Sequence, residues 1–306
     1  MKIAFLFAGQ GSQVVSMGKD VYENYPSSRA IFDNAKCDFD LKDVCFNGPQ
    51  ERLNQTQYTQ PSLVLTSLAI AQALSSEGIR ADVCAGLSLG EYSALCYAQA
   101  LDVEQALDIV SKRGRLMQEA LPVGTSGMAA VLSSDLQTIE SIVSECQKEF
   151  DEVLEIANYN SPNQTVISGQ KRVLDLAVKR LKEASIRVLP LNVSGAFHTS
   201  LLKETGESLR LILQAASFNG PQIPVLFNVS GEVEDDLVDA LSHQIHCSVQ
   251  WVKTIQNMHQ MGVDVFVEIS PKATLDKLIK QILPEAKIYT VNDVKSIETL
   301  KGVLHG

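Results

Sequence analysis

No stretch of this sequence stays apolar long enough to span a bilayer: the longest run, residues 63–74, falls short of the roughly 20 residues a membrane helix needs. Lys2 is followed by only the apolar residues 3–8 before Gly9, too few for the apolar core of a secretory signal. Basic residues are in deficit. With 26 Lys and Arg against 36 Asp and Glu, a net charge of −10 and a pI near 5.0, the chain lacks the basic face by which nucleic-acid binders hold phosphates. Paired cysteines are missing too: Cys37, Cys45, Cys84, Cys96, Cys146 and Cys247 contain no C-x-x-C, and several sit in apolar runs where a free thiol packs as a small hydrophobe. These absences exclude a membrane span and a nucleic-acid footprint. They point to a reducing, cytoplasmic compartment and to no metal site.

What is present is a chain of 306 residues, enough for a large core, in which strand-like and helix-like runs alternate without repeats or low-complexity linkers. The apolar IAFLF runs into the glycine turn AGQGSQ, which reads as a buried strand meeting a loop. A dinucleotide fingerprint is set aside there, because Val14 occupies the third glycine position. A helix-period stretch over 62–75 leads to the strand ADVCAG, then to AGLSLGEY and an apolar helix from Glu91 to about Ala100. The string G-x-S-x-G arises by chance in about one chain in ten of this length. Between a strand and a helix, however, it has the context of a nucleophile elbow, with Ser88 standing at a helix N-terminus where backbone N–H groups favour negative charge. The plainer reading of Ser88 is a helix cap.

Residues 127–193 change pattern to strand, helix, strand, strand, helix, strand, a ferredoxin-like β-α-β-β-α-β unit. From 196 onward helices and strands resume, with PVLFNV (224–229) and VDVFVEI (263–269) expected as strands. The fold expected is therefore α/β: a large α/β-hydrolase-like domain of residues 1–126 and 194–306, a small inserted domain of residues 127–193, and a cleft between them.

A serine nucleophile needs a base. Of five histidines, His305 is terminal and His259 lies on a polar helix-like stretch, whereas His198 in VSGAFHTS stands where the small unit returns to the large one. No acidic residue near it announces itself as a third triad member, so a backbone carbonyl is an equal candidate to orient it, and a dyad is the safer statement. The helix VEQALDIVSKRGRLMQEAL starts at Asp102, a capping residue. At about 100° per residue, Arg113 falls inside the apolar arc of Ala106, Ile109, Val110 and Met117 rather than on the charged face. A buried guanidinium needs an acid, a set of carbonyls or an anionic ligand. An internal salt bridge and a substrate carboxylate both fit.

Read together, FAGQGSQ, LNQTQYTQPSL, AGLSLGEYSAL, SKRGRLMQEA, ANYNSPNQTVISG, SGAFHTSLL, QIHCSVQW and EISPKATL carry a resemblance to the malonyl-CoA:acyl carrier protein transacylase family, over essentially the whole chain. The resemblance implies that Ser88 accepts the acyl group, His198 is its base and Arg113 binds the free malonyl carboxylate. It further implies an oxyanion hole from the amides of Gln10 and Leu89, a main-chain carbonyl of Gln244 orienting His198, and pocket positions at Gln60 and Asn160. Malonyl-CoA and acyl carrier protein are the implied partners in fatty acid biosynthesis, with no metal or other cofactor. The SGAFH stretch resembles the malonyl-selective form. Departures from the family pattern are Ala8, Leu87 beside the nucleophile, Ser248, Ser270 and Lys272, none of them a reacting group. Two other classes are weighed against it. A serine esterase or thioesterase would have no use for Arg113, and a non-catalytic carrier-docking module fits poorly with Ser88, His198 and Arg113 all present. Because the chain is acidic overall, the basic residues Lys171, Arg172, Lys179, Arg180, Lys182 and Arg187 are the expected docking face for an acidic carrier.

Overall fold

The computed structural model describes residues 1–193 and 195–305, apart from the side chain of His305. Ser194, the first residue of the expected return to the large domain, and the His305 side chain thus lie outside the described residues. Nine strands are described: β1 (Ile3–Phe7), β2 (Val83–Gly86), β3 (Ser126–Leu132), β4 (Leu154–Ser161), β5 (Gln164–Gln170), β6 (Arg187–Pro190), β7 (Val225–Leu226), β8 (Val265–Ile269) and β9 (Lys287–Val291).

The first sheet has the order β7-β2-β1-β8-β9 and is parallel throughout. Parallel strands are covered on both faces, so their sequences read as unbroken apolar runs, and IAFLF is buried at every residue. Its side chains alternate: Ile3, Phe5 and Phe7 join one apolar cluster, and Ala4 and Leu6 join another on the opposite face. Against the first face pack the helices Thr56–Ser76 and Val103–Glu119. The former is apolar nearly all round, as a helix inside the core must be. Among the described residues no helix is long and apolar enough to cross a membrane.

The second sheet is antiparallel, in the order β4-β5-β3-β6. Its helices, Leu136–Phe150 and Lys171–Glu183, bury Ile139, Val143, Val173 and Leu181 against Ala129, Val131, Ile156 and Ile167 on one face. The other face is turned to a cavity. A register shift between Ile156 and Asn158 matters there, because simple alternation would have left Asn158 and Asn160 on the same face as Ile156. The bulge re-aims both asparagines into the cavity. The antiparallel sheet is tied to the segment just ahead of the helix Trp251–Gln260, where Tyr159 N–H donates to Val249 O at 2.9 Å and Val249 N–H to Ala157 O at 2.8 Å.

Several expected boundaries move, for identifiable reasons. PVLFNV is a strand only over Val225–Leu226, since Phe227 N–H donates to Glu232 O and Gly231 N–H to Phe227 O, turning the chain back and releasing Asn228 from the ladder. The helix after the elbow spans Gly90–Tyr97, not as far as Ala100: Gln99 adopts left-handed backbone (φ 62°) and Ala100 N–H closes on Leu95 O at 2.9 Å. The strand before the elbow begins at Val83 rather than Ala81, and the sixth strand ends at Pro190, followed by one further bond from Leu191 N–H to Met128 O at 2.9 Å.

Candidate active site

The elbow forms where β2 meets the Gly90–Tyr97 helix, and both of its glycines are dictated by space. A Cβ on Gly86 would lie 1.8 Å from the Gly90 carbonyl carbon, and one on Gly90 would lie 2.1 Å from Phe7 O. Strand, turn and helix can approach this closely only without those side chains. Ser88 between them has φ 51°, in the left-handed region that costs a non-glycine residue energy and recurs at functional sites. His198 shares the feature, at φ 59°.

The two residues meet. Ser88 Oγ lies 2.9 Å from His198 Nε2, and His198 Nδ1 lies 2.8 Å from the Gln244 main-chain carbonyl. That carbonyl can only accept, which leaves the proton on Nδ1 and the lone pair of Nε2 aimed at the serine. Burial, with the nearby Arg113 guanidinium adding to it, lowers the His198 pKa to about 4, so the ring is neutral at physiological pH.

Arg113 is 1% exposed, as its place in the apolar arc of the Val103–Glu119 helix implied, and Asp102 caps that helix by accepting the Gln105 N–H. Its partners are not acidic. Nη1 donates to Gln60 Oε1 at 2.9 Å, and Nη2 donates to Gln244 Oε1 at 2.9 Å and faces Ser88 Oγ at 3.4 Å. Among the described residues no carboxylate forms an ion pair with it, and its buried Nε has no hydrogen-bond partner. The internal salt bridge left open by the sequence is therefore absent from the described residues, and the cation is met by two amide oxygens, the Ser88 hydroxyl and the Tyr92 ring, whose centroid lies 5.6 Å away.

Ser88, His198 and Arg113 line one cavity of about 470 Å³ between the two sheets, together with Gln10, Leu89 and Asn160. The wall from the antiparallel sheet is largely apolar, through Met128, Ala130 and Val166. Asn160 donates to Gln164 Oε1 at 2.9 Å, and its own buried Oδ1 has no partner among the described residues. Gln10 Nε2 donates to Thr56 Oγ1 at 3.3 Å, which fixes the glycine loop after β1 against the long core helix. Gln60, fully buried, does not itself line the cavity but bonds two residues that do, accepting from Arg113 and donating from Nε2 to Met117 Sδ at 3.3 Å. Leu87 forms part of the wall, and its carbonyl lies 2.4 Å from where a Cβ on Gly9 would stand.

Three groups escaped sequence reasoning. Gln244 was expected only through its carbonyl, yet its side chain donates from Nε2 to Ser88 O and to Glu91 Oε2, both at 2.7 Å, while Oε1 holds Arg113. Asn228 accepts the Ser88 N–H at 2.6 Å and donates to Gly86 O at 2.6 Å. Glu91 is completely buried and receives the Asn228 N–H as well as Gln244 Nε2. Burial pushes its pKa up to about 8 against the pull of those two donors and of Arg113. An acid in the otherwise apolar run EYSALCY was the one available signal, and its place in the first helical turn makes it look like a dipole complement.

The basic residues of the Lys171–Glu183 helix are largely engaged locally: Lys171 with Asp175, Lys179 with Glu183, Arg180 with Glu149, and Arg172 stacked over Phe150 at 4.0 Å.

The family described as acyl transferase domain matches residues 4–303. The malonyl CoA-acyl carrier protein transacylase of Bacillus subtilis is 38% identical over 97% of this chain and 95% of its own length. A solved malonyl CoA-acyl carrier protein transacylase from Clostridium perfringens superposes with a TM-score of 0.96 at 37% identity, covering 100% of this chain and 98% of the other. A malonyl-transacylase solved in complex with its type II PKS acyl-carrier protein gives 0.95 at 35% identity, over 99% and 100%.

Proposed function

The chain belongs to the acyl transferase family, among its malonyl CoA-acyl carrier protein transacylases, and from that premise we propose that it moves the malonyl group of malonyl-CoA to the pantetheine thiol of an acyl carrier protein through a malonyl ester on Ser88, supplying fatty acid synthesis. The observation that carries the reading is the meeting of a serine, a neutral histidine and a buried guanidinium without an acidic partner in one cavity.

In the first half-reaction His198 Nε2 takes the Ser88 proton as Oγ attacks the thioester carbonyl. The oxyanion faces the backbone N–H groups of Gln10 and Leu89, each worth roughly 3 kcal/mol to the transition state. The carbon–sulfur bond breaks, and coenzyme A leaves with the proton from His198. The carrier's thiol then gives its proton to His198 and attacks the serine ester, and Ser88 Oγ recovers the proton as it departs. Every proton and electron pair is accounted for by serine, histidine and two thiols, so no cofactor enters the scheme. The Gln244 carbonyl keeps Nδ1 protonated through both directions.

Arg113 supplies acyl selectivity. Its bonds to Gln60 and Gln244 leave it without an anion, and a malonyl carboxylate is the anion that the cavity would admit beside Ser88. A hydrolase would gain nothing from a guanidinium 3.4 Å from its nucleophile. Asn160, with an unpartnered carbonyl oxygen, suits an amide N–H of the pantetheine arm.

We read residues 1–126 and 194–306 as an α/β-hydrolase-like catalytic domain and 127–193 as a ferredoxin-like insertion. The β-α-β-β-α-β succession with both helices on one sheet face supports the second assignment. A cytoplasmic location fits six free cysteines, of which Cys45, Cys84 and Cys146 are buried. The test is incubation with labelled malonyl-CoA: a stoichiometric adduct on Ser88, absent from Ser88→Ala and discharged by a holo carrier protein, is the expected result. An adduct of full yield on Ser88→Ala would overturn the nucleophile assignment.

A further inference from the structure

We propose that Glu91 is a positioning residue that sets the hydrogen-bond direction of the site, holding the nucleophile's peptide and the acyl-selecting Arg113 through Gln244 and Asn228. The role rests on the acyl-transfer reading, and it concerns a side chain that touches neither acyl group nor nucleophile hydroxyl.

Arg113 can only donate, so the Gln244 amide must turn its oxygen toward Nη2, at 2.9 Å. Its NH₂ is thereby fixed on the other side, where it needs acceptors and finds Ser88 O and Glu91 Oε2, both at 2.7 Å. The second oxygen of Glu91 takes the main-chain N–H of Asn228. Asn228 is in turn held with its oxygen toward the Ser88 N–H and its NH₂ toward Gly86 O, each at 2.6 Å.

Once ionised, the Glu91 carboxylate offers two acceptors and no competing donor, and Glu91, Gln244, Asn228 and Arg113 are all buried. Two amide side chains grip the Ser88 peptide from its N–H and C=O ends, which supports a residue whose φ of 51° is unfavourable by itself. The same Gln244 amide reaches Arg113 with a neutral oxygen and keeps the Glu91 carboxyl behind it, so among the described residues no acid occupies the guanidinium's hydrogen-bonding positions in place of a substrate anion. A glutamine at 91 has the right shape but brings an NH₂ against one of the two donors. Relief by turning Gln244 over would point its own NH₂ at Arg113 and its oxygen at Ser88 O.

The test is single-turnover self-acylation of Glu91→Gln above pH 8, where Glu91 is ionised, with malonyl-CoA and with acetyl-CoA, reading rate constant and burst amplitude separately. Wild type and Ser88→Ala run alongside, so that failure of the acyl-serine reading, seen as no adduct on wild type, is distinguishable from failure of this one. The malonyl rate constant is expected to fall on the order of 10-fold or more, the effect of leaving a buried polar group mismatched. The acetyl rate constant should fall less, at unchanged amplitude, because acetyl makes no use of Arg113. A purely structural residue would lower the amplitude, or both rate constants equally, and either result overturns the proposal. Gln244→Met covers the case in which Glu91→Gln does not fold: it removes the relay and should show the same loss of malonyl over acetyl preference, and an unaltered preference overturns the proposal. Where both fold, the double variant should lose little more than Gln244→Met alone, since Glu91 acts through that amide. Additive losses would separate the two residues and refute the coupling.

Discussion

Replacing Arg113 by alanine is the most discriminating perturbation of the acyl-transfer reading. In the free protein the guanidinium is 1% exposed and bonded to two neutral amide oxygens, so its charge has been taken out of water without an anion in hydrogen-bond reach. A malonyl carboxylate would be its first charged partner, in a site where screening by water is weak. Truncating one member of such a buried charged pair costs about 2 to 5 kcal/mol. At about 1.36 kcal/mol per decade, malonyl kcat/KM should fall at least ~30-fold and by up to several thousand-fold. Acetyl transfer has no carboxylate to lose and should fall far less, or rise. The assay is self-acylation of wild type and Arg113→Ala with each donor, alongside the thermal midpoint of both proteins. Equal losses for the two donors together with a large drop in midpoint would refute the reasoning, because they describe a residue needed for the fold and not for the carboxylate.

Three further outcomes follow from the same groups. With burial and Arg113 holding His198 at about 4, the acid limb of the acylation rate should lie near pH 4, far below the 6.5 of an ordinary histidine, and Arg113→Ala should move it upward; a limb at 6.5 in the wild type would contradict the buried, neutral base. Glu91 has a folded-state pKa raised to about 8 from 4.5, so its contribution to stability is present below about pH 4.5 and lost as pH rises through 8; Glu91→Gln should remove that part of the decline in thermal midpoint between pH 6.5 and 8, and an unchanged slope would count against it. Local pairing of Lys171, Lys179 and Arg180 shifts the carrier-docking expectation onto Lys182 and Arg187; reversing both charges should raise the KM for carrier protein several-fold and flatten its salt dependence while self-acylation from malonyl-CoA stays constant, and unchanged carrier kinetics would place the docking face elsewhere.

The parts of this molecule that were legible in its sequence are those governed by local rules. IAFLF is a buried parallel strand because alternation does not matter when both faces are covered. The 3.6-residue period alone puts Arg113 among buried side chains, since a helix anchored by Asp102 leaves its rotation fixed. The turn at Ser88 was legible because glycine at 86 and 90 has a steric reason that any close strand-to-helix turn would share. Asn160 was marked by resemblance, but nothing local shows that it reaches the cavity: a bulge one residue before Asn158 reverses the face of β4, and bulges leave no dependable trace in a strand's composition.

What was not legible is the set of bonds that join distant segments. Asn228 lies in an apolar run that reads as a strand, and only the tight turn between Phe227 and Glu232 frees its side chain for a serine 140 positions away. Glu91 and Gln244 look like a helix-start acid and a helix-end amide when each is read alone. Their meaning is relational. An amide next to a guanidinium has its direction decided by that neighbour, and a carboxylate next to the amide has its acceptors decided in turn. Such a chain of constraints runs from Arg113 through Gln244 and Glu91 to Asn228 and back to both ends of the Ser88 peptide. It ties the group that would choose the acyl chain to the group that would carry it. A substitution at any one link should therefore be felt at both, whereas sequence position alone would have assigned the links to four unrelated helices and turns.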